Sequence, residues 1–317
     1  MTTFSITHKL LSSLFELNQF QIPADCTILF VGLRGCVPAD TSDNAFKAQV
    51  DVSLREIDYK NLRCTLLQWN VADQTIAAFA GSTVPSYNNI IGFRKKPPRN
   101  SNCITPGFYK SYRKGKHRPA NTRNWHDAFR QDGQPLAIRR TYDNTVYDNF
   151  DEITTSTGCD DNIHAAWTLD EDSGYFSSAG CQVIMGIPFC DSTRASQNDN
   201  RGPWKVFKEN GYSAQQPLFP YALLNASEAY KVAINSGKEL NLRLKYGSSG
   251  DWVKAIQEKL IALNFLSGTA DGDYGTNTFN AVKRFQEEQF GIDAVDCVVG
   301  PVTASVLGVP TKTITIP

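Results

Sequence analysis

The sequence predicts an α+β chain in which a β-rich region over residues 26–229 is followed by a small three-helix module over 241–310. Three observations carry this. Short runs rich in β-branched and aromatic residues recur between turn clusters through the first two thirds of the 317 residues. Beyond residue 240 the apolar residues change to helical spacing. At 41% hydrophobic and 20% charged residues, the chain has the composition of a packed protein.

Residues 1–25 read as an N-terminal segment with a short amphipathic stretch around Leu10 to Phe15. Cys26 to Leu33 reads as a buried strand that ends at Arg34-Gly35. Cys64 to Trp69 and Gln74 to Ala80 read as two strands about a turn at Ala72-Asp73. Tyr87 to Thr122 is rich in Asn, Pro, Gly and basic residues and is expected to be loops around a short strand, Gly107 to Tyr112. Gln182 to Ile187 is an apolar run, Arg194 to Pro203 a polar loop, Trp204 to Asn210 a short helix, and Pro220 to Leu224 a last strand.

Ser227 to Gly237 reads as a connecting helix or linker, with 230–240 taken as the linker between domains. Val253, Ile256, Leu260 and Leu263 share one helix face, and Phe279, Val282 and Phe285 another. Asp271-Gly272-Asp273-Tyr274-Gly275 between them is a turn cluster, with Thr276 as the expected N-cap. Two such helices cannot close a core, so a third is expected near Thr303 to Leu307.

Lys plus Arg and Asp plus Glu are both 32, and zero net charge argues against general nucleic-acid or anionic-membrane binding. Arg94 to Arg123 is a basic run without acidic residues, read as a solvated loop before a binding patch. No stretch approaches the roughly 18 apolar residues of a membrane span. The N-terminal apolar run breaks at Glu16 and does not read as a signal peptide. The eight cysteines show no zinc spacing, and Cys159 and Cys190 are near enough in sequence to the proposed site to invite a bridge.

The residues that carry chemistry are Ser178-Ala179-Gly180-Cys181, with His164 seventeen residues upstream. A cysteine after a small, Gly-containing turn can present a thiolate and a backbone N–H to one carbonyl, while a histidine takes the thiol proton. Cys181 is thus the candidate nucleophile, His164 the base, Ser178 the residue that orients the turn or the histidine, and the Gly180 and Cys181 N–H groups the oxyanion donors. Only four histidines exist, 8, 117, 126 and 164. His117 is the reserve base or a substrate contact. Gln182, Trp167 and Tyr175 complete the candidate substrate-binding set, the aromatics being expected more as packing than as stacking partners. Asp160-Asp161 near His164 has no second histidine at helical spacing, so no metal and no cofactor is expected.

The tail resembles the family of peptidoglycan-binding domains, on Gly247, Gly250, Val253, Ile256-Gln257, Leu260, Leu263, Asp271-Gly272, Tyr274-Gly275, Thr278, Ala281-Val282, Phe285-Gln286, Gly300-Pro301 and Thr303. The region before it resembles the catalytic domain of the L,D-transpeptidases. Asn162-Ile163-His164-Ala165 stands at that family's first histidine, and Ser178-Ala179-Gly180-Cys181-Gln182-Val183-Ile184 at its Ser-His-Gly-Cys turn. Ile104-Thr105-Pro106-Gly107-Phe108-Tyr109 is similar to its Thr-Pro-x-Gly strand. Ala179 replaces the family's second histidine, and Val183 the Arg or Asn two places after the cysteine.

The resemblance implies an L,D-transpeptidase-like catalytic domain over 26–229 and a cysteine acyl-transfer enzyme acting on peptidoglycan stem peptides through a thioester. The product is a crosslink if an amine resolves that thioester, and a carboxypeptidase or endopeptidase product if water does. It implies work in the periplasm or cell wall. With no signal peptide read, export by a specialised secretion system or release by lysis is expected, as for an antibacterial effector, with an immunity or delivery protein as the further partner. The alternatives are a phage-type lysin and a non-catalytic wall-binding protein on a degenerate scaffold.

Overall fold

The computed structural model describes residues 2–95, 101–117, 125–131, 133–190 and 198–317. The chain opens with β1 (Thr3–Thr7) and α1 (His8–Leu17), where Thr7 Oγ1 accepts the Leu10 N–H and caps the helix. Next come β2 (Ile28–Arg34), β3 (Cys36–Pro38), β4 (Gln49–Leu54), β5 (Cys64–Asn70) and β6 (Thr75–Ser82). After α2 (Tyr87–Arg94) follow β7 (Cys103–Ile104), β8 (Gly107–His117), β9 (His126–Gln131), β10 (Leu136–Arg140) and β11 (Glu152–Ser156). Then β12 (Ile163–Ala165), β13 (Gln182–Ile184), α3 (Pro203–Ser213), β14 (Phe219–Asn225) and α4 (Ala226–Ala233) lead out of the β-rich region. The C-terminal part holds β15 (Glu239–Asn241), α5 (Asp251–Ala262), α6 (Thr276–Phe290), a 3₁₀ turn at Ile292–Ala294, α7 (Pro301–Val306) and β16 (Thr313–Thr315).

Eight strands close a barrel in the order β12-β13-β6-β5-β2-β14-β8-β9. Most neighbours are antiparallel, but β12 pairs with β13 and β2 with β14 in parallel. β2 (ILFVGLR) is buried along almost its whole length, as a strand covered on both faces must be, hence its unbroken apolar run. The barrel is filled by aromatic rings. Phe30 stacks on Phe219 at 5.1 Å, and Phe129 meets Phe30 edge-on at 4.8 Å. On the outside, β1, β4 and β3 form one small sheet and β11, β10 and β7 another. α1 lays Leu11, Leu14 and Phe15 into a second apolar cluster with Val31, Leu67 and Trp69 of the barrel wall. The N-terminal segment therefore covers one side of the barrel.

The helical module follows the expected pattern, with small shifts at its ends. Gly275, not Thr276, occupies the cap of α6, because Thr276 already lies in the helix. Gln257 on α5 fixes the preceding turn: its Nε2 donates to Asp271 Oδ1 at 2.7 Å, and its Oε1 accepts the Gly272 N–H at 2.7 Å. The module is built into the barrel's own core. Tyr109, Leu244, Trp252 and Phe279 belong to one apolar cluster. Across the junction Phe108 N–H donates to the Tyr246 carbonyl at 2.8 Å, and Tyr246 Oη to the Pro135 carbonyl at 2.8 Å. Gly247 turns here at φ +88°, and a Cβ on it would stand 2.2 Å from the Phe108 carbonyl oxygen.

The region expected to be loops carries more structure. Tyr87–Arg94 is a helix, and the strand from Gly107 runs on to His117. The rest of the basic run, at 96–100 and 118–124, and residues 194–197 of the Arg194 to Pro203 loop lie outside the described residues. No described helix is long and apolar enough to cross a membrane. No disulfide joins Cys159 to Cys190 or any other pair; all eight cysteines are thiols.

Candidate active site

The Ser178–Cys181 turn enters β13, and the residues after Cys181 pair in parallel with β12, so His164 lies opposite Val183. That register brings His164 beside the cysteine, although seventeen residues separate them in the chain. The β8–β9 hairpin adds two more imidazoles, because His117 pairs directly with His126 at its end. Three of the four histidines therefore cluster, two of them beside Cys181. His117 and His164 stack with centroids 4.2 Å apart, and His126 meets His164 edge-on at 5.2 Å. His8 is elsewhere, accepting the Trp69 indole N–H at 3.1 Å.

One nitrogen of His117, one of His164 and Cys181 Sγ all lie within 4.8 Å of one another. The surroundings decide which nitrogens carry protons. His164 Nδ1 faces the Ala165 carbonyl at 2.8 Å, so it is the protonated nitrogen and Nε2 holds the lone pair. For His117 the reference is Asn162. The Gln131 backbone N–H can only donate, and it meets Asn162 Oδ1 at 3.1 Å. Asn162 Nδ2 is therefore the atom 3.2 Å from His117 Nδ1, which must accept, and the neutral His117 ring carries its proton on Nε2. In their neutral forms the two rings are opposite tautomers, His164 with its lone pair on Nε2 and His117 with its proton there. The same set has the atoms of a small metal site, which sequence spacing did not reveal. The Asn162 bond works against His117 as a ligand through Nε2, since that needs the proton on Nδ1.

Cys181 is buried at 6% exposure on the wall of a cavity of about 320 Å³, with Asp160, Asp161, Arg130 and His117 around it. The turn is held tightly. Ser178 Oγ donates to the Cys181 carbonyl at 2.7 Å and accepts the Gly180 N–H at 3.2 Å. Ser178 thus orients the turn and not the histidine, and the Gly180 N–H expected as an oxyanion donor is already engaged. The Ser178 carbonyl in turn accepts the Ser86 N–H at 2.8 Å and Asn89 Nδ2 at 2.8 Å, which ties the turn to α2. Gly180 has φ +150°, and a Cβ there would lie 2.4 Å from Asp161 Oδ1.

Asp161 is buried beneath this turn, and its Oδ2 has no hydrogen-bond partner among the described residues. Burial pushes its carboxyl up to about 8, against the Asn102 hydrogen bond and Arg140, which favour ionisation. Burial thus favours the protonated carboxylic acid over the carboxylate. Arg130 Nε is likewise buried without a partner, and its guanidinium is 3.7 Å from Asp160.

The other candidates are placed differently. Gln182 is fully buried behind the turn, accepting Tyr221 Oη at 2.9 Å and donating to the Gly180 carbonyl at 3.0 Å. It supports the turn from the barrel interior and does not line the cavity. Trp167 is half-buried with φ +66° and meets His126 edge-on at 5.3 Å. Tyr175 is 44% exposed and is not among the cavity's lining residues. Sequence reasoning gave no role here to Asn162, Arg130 and His126, and weighed Asp161 only as a metal ligand. Asn162 and Asp161 adjoin His164 in the motif, and two histidines nine residues apart across a turn-rich stretch were the available sign of the hairpin.

With this geometry in view, the comparisons with known proteins add the following. Residues 249–307 match the family described as "Putative peptidoglycan binding domain", so the chain carries such a domain at its C-terminal side. The chain is 45% identical over 74 residues to the N-acetylmuramoyl-L-alanine amidase CwlL of Bacillus licheniformis, covering 23% of this chain and 20% of that protein. It is 39% identical over 67 residues to the spore cortex-lytic enzyme of Bacillus subtilis, covering 21% and 22%. The chain thus spans about a fifth of the length of these curated relatives. No solved structure matches it.

Proposed function

We propose that this chain is a peptidoglycan-acting enzyme that uses Cys181 for acyl transfer on stem peptides. The observation that carries the reading is the cluster of Cys181 Sγ with nitrogens of His164 and His117 within 4.8 Å, at a cavity, in a chain with a peptidoglycan-binding domain. His164 Nε2 takes the Cys181 proton, and the thiolate adds to a peptide carbonyl. The C–N bond breaks as the departing amine takes a proton from the imidazolium, leaving a thioester. An amine or water, deprotonated by His164, then attacks the thioester, and the Cys181 thiolate leaves. His117, with its proton on Nε2, is placed to donate to the oxygen or nitrogen on which charge develops.

The resemblance to the L,D-transpeptidase catalytic domain supports the cysteine chemistry. The two relatives, named for an amidase and a cortex-lytic enzyme, support the wall as the place of action and favour water over an amine as acceptor. The site of work on this reading is the periplasm or cell wall. Masses of muropeptides from sacculi incubated with the wild type and with Cys181→Ala test it. Products seen only with the wild type are expected, shortened for hydrolysis and joined for crosslinking. Identical profiles, with both proteins still pelleting with sacculi, would overturn it in favour of a wall-binding protein without catalysis.

A further inference from the structure

A second cavity, of about 210 Å³, lies between the barrel and the helical module. Four cations face it: Arg34 at the end of β2, Arg139 on β10, and Arg243 and Lys245 on the segment leading into α5. Two carboxylates oppose them, Glu228 on α4 and Asp296. Glu228 is taken up by Lys245, its Oε2 2.9 Å from Nζ, with the two side chains only 11% and 4% exposed. Asp296 is exposed, and its Oδ1 accepts Gln286 Nε2 at 2.8 Å and the Val298 N–H at 2.9 Å.

The three arginines have no such partner. Arg34 donates to Thr83 Oγ1 at 3.0 Å and to the carbonyls of Thr83 at 2.7 Å and Ile104 at 2.9 Å. Arg139 donates to the carbonyls of Asp148 at 2.5 Å and Val295 at 3.0 Å. These neutral acceptors fix the guanidiniums in place without neutralising them. Among the described residues none of Arg34, Arg139 and Arg243 forms an ion pair with a carboxylate. With Lys245 cancelled by Glu228, three guanidiniums stand against one carboxylate, an excess of two positive charges. Partly buried like charges repel and are costly to desolvate unless an opposite charge joins them. The cavity is also far larger than the roughly 10–15 Å³ that one water needs.

We propose that this cavity binds a tetrahedral oxyanion, inorganic phosphate or a phosphomonoester group, held by Arg34, Arg139 and Arg243. Guanidinium groups pair with such an anion through parallel N–H donors, and three of them reach this space from three separate segments. Arg34 and Arg139 belong to the β-rich region, while Arg243 and Lys245 lead into the module. A bound anion therefore clamps the module to the barrel. The inference does not depend on the chemistry at Cys181.

The test is thermal unfolding of the full chain in inorganic phosphate against chloride at matched ionic strength. A saturable rise in Tm with phosphate is expected, because a ligand that binds only the folded state stabilises it. Arg243→Gln is the informative variant, since its guanidinium holds none of the carbonyls that Arg34 and Arg139 hold. In chloride it should unfold at the wild-type temperature or above, as one crowded cation is gone, and the phosphate-induced rise should disappear. Lys238→Gln, an exposed cation elsewhere, should keep the full rise, which separates site binding from the general effect of excluded salts. Glycerol 3-phosphate distinguishes the sources: a rise equal to that with phosphate points to a monoester end, and no rise points to the free oxyanion. A non-saturating phosphate effect, or one that survives in both Arg243→Gln and Arg139→Gln, would overturn the proposal.

Discussion

Asn162 Nδ2 stands 3.2 Å from His117 Nδ1, and this contact sets which nitrogen of His117 carries its proton. Asn162 can play that part because its Oδ1 is held by the Gln131 N–H at 3.1 Å. An aspartate at 162 would keep the Gln131 bond but present an acceptor to His117, moving its proton to Nδ1 and favouring the charged ring. Asn162→Asp is therefore expected to lower kcat/KM on sacculi and to displace the alkaline limb of its pH profile upward. His164→Ala, which removes the proposed base, should cost about 10²–10⁴ in rate. An unchanged profile in Asn162→Asp would remove His117 from the reaction.

Asp161 links the site to the pH dependence of stability. Its folded-state pKa, about 8, is above its unfolded value, so the folded protein keeps a proton that the unfolded chain releases. Stability from this group is full below about pH 4 and falls as pH rises towards 8, by about 1.4 kcal/mol per pH unit at most. Asp161→Asn, which keeps the shape of the neutral acid, should be relatively more stable than the wild type at pH 8 than at pH 5. Urea unfolding at the two pH values measures this, and equal differences would mean that Asp161 is ionised in the fold.

Gly180→Ala combines two faults, a φ of +150° and a Cβ 2.4 Å from Asp161 Oδ1. Relief requires movement of the turn that carries Cys181. A loss of at least about 1–3 kcal/mol in stability is expected. Activity should fall further than stability does, while pelleting with sacculi through residues 249–307 is retained. Full activity in Gly180→Ala would show that the turn geometry does not matter.

Glu228→Gln would leave Lys245 charged among three arginines without its partner. Breaking a buried pair from one side costs about 3–5 kcal/mol. In the wild type burial opposes ionisation of Glu228, yet Lys245 holds its carboxyl below the usual range. That contribution is present at neutral pH and is lost as pH falls through the lowered value. Glu228→Gln should unfold at markedly lower urea concentration at pH 7, with the deficit narrowing in acid. A constant deficit would assign the loss to packing.

Gly247→Ala tests the junction of module and barrel, where the added methyl meets the Phe108 carbonyl at 2.2 Å. Because one apolar cluster runs through both parts, a single unfolding transition at lower temperature is expected. Two separate transitions would show that the module folds independently of the barrel.

Local pattern carried much of this molecule. The spacing of Val253, Ile256 and Leu260 is sufficient for α5, because a helix face is decided by neighbours within a few residues, whereas Leu263, read onto the same face, is the C-cap and 47% exposed. The unbroken apolar run of β2 was legible for the same reason, and so was the turn before Cys181, whose glycine the conformation requires. The loop-rich reading of Tyr87 to Thr122 failed where tertiary contacts outweigh composition. α2 is tied through Ser86 and Asn89 to the Ser178 carbonyl, and the strand from Gly107 extends to His117 because β9 pairs with it.

The sequence by itself determined the change from β-rich to helical pattern near residue 240, the Cys181 turn and one of the two histidines beside it. Only the tertiary structure decided which residues share that site. Parallel pairing of β12 with β13 sets His164 beside Cys181, and the β8–β9 hairpin brings His117 and His126. Packing of the turn against the barrel buries Gln182 and leaves Asp161 under Gly180. Such contacts join segments tens of residues apart, and their cost and gain belong to strand register and packing, to which no local spacing is sensitive.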